Sequence, residues 1–165
     1  MNETIVPKGM TEKMQLTVEE QAALEVLRAG KAECVLLREG QAPIYGHGLG
    51  VKPLLQALDT APETLRGAVL VDKVIGKAAA LLAVRGGVCR AAALTASEAG
   101  LACLAAHGVP AAAAAVVPYI ENRTHDGLCP LEQSVLDVDD PAAGEAAIRA
   151  AVARLMAAKN KEKQP

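Results

Sequence analysis

The chain has 165 residues and a mass of 17.0 kDa, with 52% hydrophobic and 22% charged residues, a globular composition for one domain with a helical extension. A formal charge of -2 and only two aromatic residues, Tyr45 and Tyr119, speak against the basic footprint and base-stacking platforms of a nucleic-acid binder. Its apolar stretches are cut by Arg85, His107 and Pro110 before reaching the roughly 18 to 20 residues of a membrane span, so no membrane partner is expected either.

Residues 1–16 read as a flexible arm. Its start is polar and has no apolar core behind Lys8 and Lys13, unlike a secretory signal, so a cytoplasmic location is expected. Thr17, with Glu20 three residues on, forms a capping box for a helix over 18–29 that Gly30 closes. Residues 33–38 and 43–45 flank Gly40 as a hairpin. Gly46-His47-Gly48-Leu49-Gly50 then opens into a short helix over 51–58. Residues 68–71 form an apolar strand, and Asp72 is expected to begin a helix that runs to 84 and stops at Gly86-Gly87. A strand over 88–94 follows, then a helix capped by Ser97 and closed at His107-Gly108. Residues 111–117 form a further strand, although five successive alanines have weak strand propensity. Asp140-Pro141 opens a last helix to about residue 158, ahead of a polar tail. The domain proper is thus 17–139, with 140–165 as a C-terminal helix and tail. Strands and helices in alternation predict an α/β sheet covered on both faces, made mixed by the leading hairpin.

Three segments could carry chemistry. Gly48 and Gly50 let the backbone approach a ligand before a helix start, where free amides attract anions; Lys52 opposes the helix dipole there unless an anion is bound. Against this stands a plain glycine turn with a solvated lysine. Asp72 is expected where a buried strand meets a helix, with Lys73 and Lys77 on one helix face and Gly76 leaving room beside them. The bland alternative is an N-cap aspartate and two solvated lysines. The stretch from Asn122 to Glu132 gathers Arg123, His125, Asp126 and Cys129, and a thiol at a helix start has its thiolate favoured. Cys129 is otherwise a small buried hydrophobe. Cys34, Cys89 and Cys103 read as core, His47 and His125 as solvated, and His107 as a helix end. The four cysteines show no Cys-x-x-Cys, and there is no His-x-Glu, no His-x-x-x-His, no P-loop and no Gly-x-Ser-x-Gly, so no metal site or cofactor is expected.

Gly48 to Leu54, Val71 to Ala80, Val117-Pro118-Tyr119-Ile120 with Asn122-Arg123, and Cys129-Pro130-Leu131-Glu132 together resemble the DUF1893 family of uncharacterised bacterial proteins, over about residues 18–135. The resemblance implies a cytidine deaminase-like fold, a three-layer α/β/α sandwich around a mixed sheet of about five strands. Zinc deaminases place His-x-Glu and Pro-Cys-x-x-Cys at two helix starts. By order of elements these correspond here to Val51-Lys52 and Asp72-Lys73, which hold no zinc ligands. What is carried over is the pocket, and by resemblance also a homo-oligomer.

The resulting expectation is a zinc-independent enzyme, of unstated reaction, acting on a small anionic metabolite that bears phosphate, such as a nucleotide. Asp72, Lys73 and Cys129 are its catalytic candidates; Gly48, Gly50, Lys52, Gly76, Lys77, Arg123 and Glu132 are its ligand-binding candidates. The alternatives are a non-catalytic sensor that keeps the pocket for binding, and an oligomeric interaction module built on alanine-rich helices.

Overall fold

The structure, a computed structural model, describes residues 14–163; the first thirteen residues of the expected arm lie outside it. Strand β1 (Cys34–Leu37) pairs antiparallel with β2 (Ile44–Gly46) through the turn at Gly40, and with β3 (Val69–Ile75) on its other side. Strands β4 (Arg90–Ser97) and β5 (Ala111–Val117) continue the sheet in parallel, giving the order β2-β1-β3-β4-β5. The mixed five-stranded sheet of the sequence reading is therefore present, with six α-helices around it among the described residues.

Helices α2 (Lys52–Thr60), α3 (Lys77–Gly86) and α4 (Glu98–Ala106) make three successive crossovers in the same direction along the sheet. Crossovers of one hand and one direction put their helices on one face. There Leu54, Leu70, Ile75, Leu81, Leu82, Leu101 and Leu104 form the main core. The other face is covered by α1 (Val18–Arg28), whose Ala23, Leu24 and Leu27 pack on Val35, Val71 and Ala92. Alternation along β3 makes this possible, since Leu70 and Val71 point into different cores. The alanine run of β5 works as a strand because helices must approach its sheet closely: Ala91, Ala93, Ala111 and Ala113 are all buried under the helical layer.

α1 begins as read, with Thr17 and Glu20 exchanging hydrogen bonds. Glu20 also receives Arg90 Nε at 2.5 Å, tying α1 to the start of β4 while its carboxylate is 1% exposed. After β5 the chain forms a loop, a five-residue helix α5 (Pro130–Ser134) and the long α6 (Pro141–Glu162). The first half of α6 packs on α3, with Ile148 fully buried and Gly144 seated against Leu81. Its second half, from residue 153 onward, is exposed throughout.

Two local readings are corrected. Asp72 does not begin a helix: β3 continues through it to Ile75, because β1 and β4 pair with it on both sides, and α3 starts only after Gly76. Likewise β4 starts at Arg90 and runs to Ser97, three residues past the expected end at 94.

Candidate functional site

Strands β2, β3, β4 and β5 are mutually parallel, so all four end at one edge of the sheet. That edge collects the loop of residues 46–51, the β3–α3 junction, Ser97, and the segment of residues 118–132. All ten expected site residues belong to it or to the adjoining strand and helix ends: Gly48, Gly50, Lys52, Asp72, Lys73, Gly76, Lys77, Arg123, Cys129 and Glu132. The carboxyl edge of parallel strands is where open α/β sheets hold ligands.

Within the edge the side chains divide into separate groups. A row of residues crosses the helical face of the sheet in register: Gly46, Cys34, Asp72, Ala93 and Ala113. Asp72 is 7% exposed and is the only charged group of that row. Burial raises its carboxyl to about 7; the amides of Lys73 and Val74 and the Lys73 ammonium oppose this, while Glu33 adds to it. Its neighbour Cys34 is pushed up to about 12, first by burial and then by the Asp72 charge, so the thiol stays protonated. The sequence reading placed Cys34 in the core and gave it no role.

Lys73, one residue further on, points to the opposite face of the strand and is held by Glu33 Oε1 at 2.9 Å. The expectation that Lys73 and Lys77 share a helix face therefore fails, because only Lys77 is helical. Lys77 Nζ is engaged at 3.1 Å by both Asp139 Oδ1 and the Leu136 carbonyl.

The start of α3 is filled from within. Both oxygens of Glu132, itself 7% exposed, accept the amides of Lys77 and Ala78 at 2.7 Å. A side chain at Gly76 would place its Cβ 1.9 Å from Glu132 Oε1, so this glycine makes room for the carboxylate. Glu132 and Gly76 thus form an internal helix cap rather than two free ligand-binding groups. The third helix start, that of α4, is capped by Ser97 Oγ, which accepts from the Gly100 amide at 3.0 Å.

The start of α2 is different: Val51 offers no side-chain cap. Gly48 and Gly50 both have positive φ, 111° and 59°, so the chain turns tightly into the helix, with the Lys52 stem lying against Gly48. Beside it, a groove of about 460 Å³ runs between the β1–β2 hairpin and α2. Cys34, Leu36, Ile44, Gly46 and His47 line it from the hairpin, and Pro53, Ala57 and Thr60 from α2.

Cys129 heads α5, half-buried, with its own amide donated to the Ile120 carbonyl. The polar stretch before it satisfies itself: Asp126 accepts from Thr124 Oγ1 at 2.5 Å and Asn122 Nδ2 at 2.9 Å, which holds its carboxyl below the usual range. Glu121 meets His125 at 2.7 Å, and Arg123 is exposed. Cys89, expected in the core, is exposed and its thiol lies 3.3 Å from the Gly67 carbonyl. Cys103 is buried as expected.

A zinc ion of the deaminase type does not fit these helix starts. One presents Val51-Lys52-Pro53 and the other Gly76-Lys77-Ala78, with the Glu132 carboxylate already committed to two amides. Among the described residues no group of three or more His, Cys, Asp or Glu side chains is placed to hold a metal ion. No helix among them is long and apolar enough to cross a membrane.

The architecture and the carboxyl-edge site define an α/β protein with a mixed five-stranded sheet. Residues 22–152 match the model of a domain of unknown function, DUF1893, and the chain belongs to that family. A solved DUF1893 family protein from Thermotoga maritima (TM1506) is 21% identical, over 88% of this chain and 96% of that one, with a TM-score of 0.69; it shares the fold. No curated protein matches the chain.

Proposed function

We propose that the protein binds, and as a zinc-independent enzyme acts on, a small phosphate-bearing metabolite of the cytoplasm, a nucleotide being one such ligand. The observation that carries this reading is the groove of about 460 Å³ between the β1–β2 hairpin and α2, whose lining includes Gly46, His47 and Pro53, next to a helix start that has no side-chain cap. The anionic group would meet Lys52 and the backbone of Gly48 to Gly50, and the uncharged part would lie between β1, β2 and α2. Asp72, titrating near neutrality beside Cys34 on the neighbouring strand, is the group suited to accept or return a proton. Cys129 is the nucleophile candidate in this reading, and Lys73 serves by modulating Asp72 from the other face of the strand.

The fit of Glu132 on α3 favours a second reading, in which the pocket binds without turnover. In that case two of the three helix starts, those of α3 and α4, are closed by the chain's own side chains, and a sensor needs only affinity.

A thermal-shift panel of nucleotides, sugar phosphates and inorganic phosphate on wild type, Lys52→Ala and Asp72→Asn separates these outcomes. Ligand at 100 times its dissociation constant should stabilise wild type by about 2.7 kcal/mol. Loss of that response in Lys52→Ala supports the binding site, and chemical conversion of the stabilising ligand by wild type but not by Asp72→Asn, followed by mass spectrometry, supports the enzyme. Equal responses in wild type and Lys52→Ala would refute the assignment at α2.

A further inference from the structure

The residues along the groove between the hairpin and α2 restrict what can lie in it. No Asp, Glu, Lys or Arg lines it, and Leu36, Ile44 and Leu54 give it apolar surface. A charged group held against them would lose its water without gaining a partner. The body of a ligand placed here is therefore uncharged, with its charge confined to the end that meets the start of α2.

Helix α2 sets the length of that body. Pro53, Gln56, Ala57 and Thr60 all line the groove, at the i, i+3, i+4, i+7 spacing of one helix face. From Lys52 to Thr60 the helix rises by about 12 Å. A pentose phosphate is too short to reach from one end to the other, whereas a nucleoside monophosphate spans it.

The end away from Lys52 calls for hydrogen-bond donors on the ligand. It is formed by Thr60, in the last turn of α2, and by Thr64, in the short helical turn Pro62–Thr64 that follows. Thr60 Oγ1 donates to the Gln56 carbonyl at 2.8 Å, and Thr64 Oγ1 to the Ala61 carbonyl at 2.7 Å. With their protons committed, both hydroxyls offer a ligand lone pairs only. Gln56 carries donors and an acceptor and takes either kind of group. A ligand amino group thus gains two acceptors. A carbonyl oxygen in the same place meets lone pairs, unless a threonine gives up its own hydrogen bond.

We propose that the groove selects nucleoside monophosphates whose base carries an amino group, and that Thr60 and Thr64 make the selection. This rests on the reading of a phosphate-bearing ligand at α2 and adds the body that such a ligand has.

Isothermal titration with adenosine, purine riboside and inosine monophosphates tests it. These carry an amino group, a hydrogen and a carbonyl at the same position of the base. Wild type should bind the adenosine compound at least about tenfold more tightly than the inosine compound, with purine riboside between them. The Thr60→Val/Thr64→Val variant keeps the shape and removes both acceptors, so the three should then bind within about twofold of one another. Thr64→Ser, which retains a hydroxyl, should keep the wild-type order. Lys52→Ala should weaken all three alike and leave their order unchanged, because it touches only the phosphate end. Equal binding of the three by wild type, weakened in Lys52→Ala, would overturn the selection and leave the phosphate reading standing. A wild-type preference that survives in the double valine variant would overturn the role of the threonines. Absence of binding by any of the three would remove both readings. If the double variant fails to fold, the wild-type order alone decides the selection.

Discussion

Asp72 is the residue where burial and chemistry are most closely joined. Burial raises its carboxyl from 3.8 to about 7, so the folded protein holds this proton more tightly than the unfolded chain does. Its contribution to stability is complete below pH 3.8, falls as the pH rises towards about 7, and stays lost above that. Asp72→Asn should therefore flatten the pH dependence of urea unfolding across this window, and exceed wild type at pH 8 by about 2 to 4 kcal/mol. An unchanged slope would show that Asp72 is already ionised when folded. The thiols give a second test at this scale. Exposure predicts that a maleimide labels Cys89 first and Cys129 next, with Cys34 and Cys103 protected until the chain unfolds. Mass spectrometry of a labelling time course reads the order directly, and rapid labelling of Cys34 would contradict its burial.

Between elements, the decisive contact is the one from Glu132 to α3, which fixes the segment after β5 against the carboxyl edge. Glu132→Ala leaves two amides at the helix start without their acceptor, and should cost about 2 to 4 kcal/mol; Glu132→Gln, which still offers an oxygen, should cost roughly half of that. Gly76→Ala should be destabilising in wild type because its methyl meets that same carboxylate. In a Glu132→Ala background the added methyl has room, so the two changes should be strongly non-additive in a double-mutant cycle. Additive effects would mean that Gly76 is required for some other reason. None of this was legible locally. Glu132 and Lys77 are 55 residues apart, and a cap supplied across that distance leaves no spacing signal. The capping box at Thr17 and Glu20 was legible because both partners lie within one turn. Asp72 misled for a related reason: aspartate after an apolar run is a good helix cap, but hydrogen bonding from strands on both sides kept β3 extended through it.

For the molecule as a whole, α6 divides into a packed half and an exposed half. Removing residues 153–165 should change unfolding free energy by no more than about 0.5 kcal/mol, because the described part of that segment is solvent-exposed throughout. Removing residues 141–165 takes away Ile148, Ala151 and the seat of Gly144 on Leu81, and should prevent cooperative folding. Equal stability of both truncations by urea melts would place α6 outside the core. The amino-acid sequence by itself determined the order of elements, the hairpin, three of the helix caps and the mixed α/β class, since periodicity, glycine turns and capping residues act over a few positions. Family membership was likewise carried by short motifs in a fixed order. Only the tertiary structure decided which of those motifs meet. The parallel strands bring them all to one edge, yet the alternation of β3 sends Asp72 and Lys73 to opposite faces, and Glu132 occupies a helix start that looked open. Side-chain direction and the satisfaction of buried amides depend on partners far away in the chain, and the fold alone supplies them.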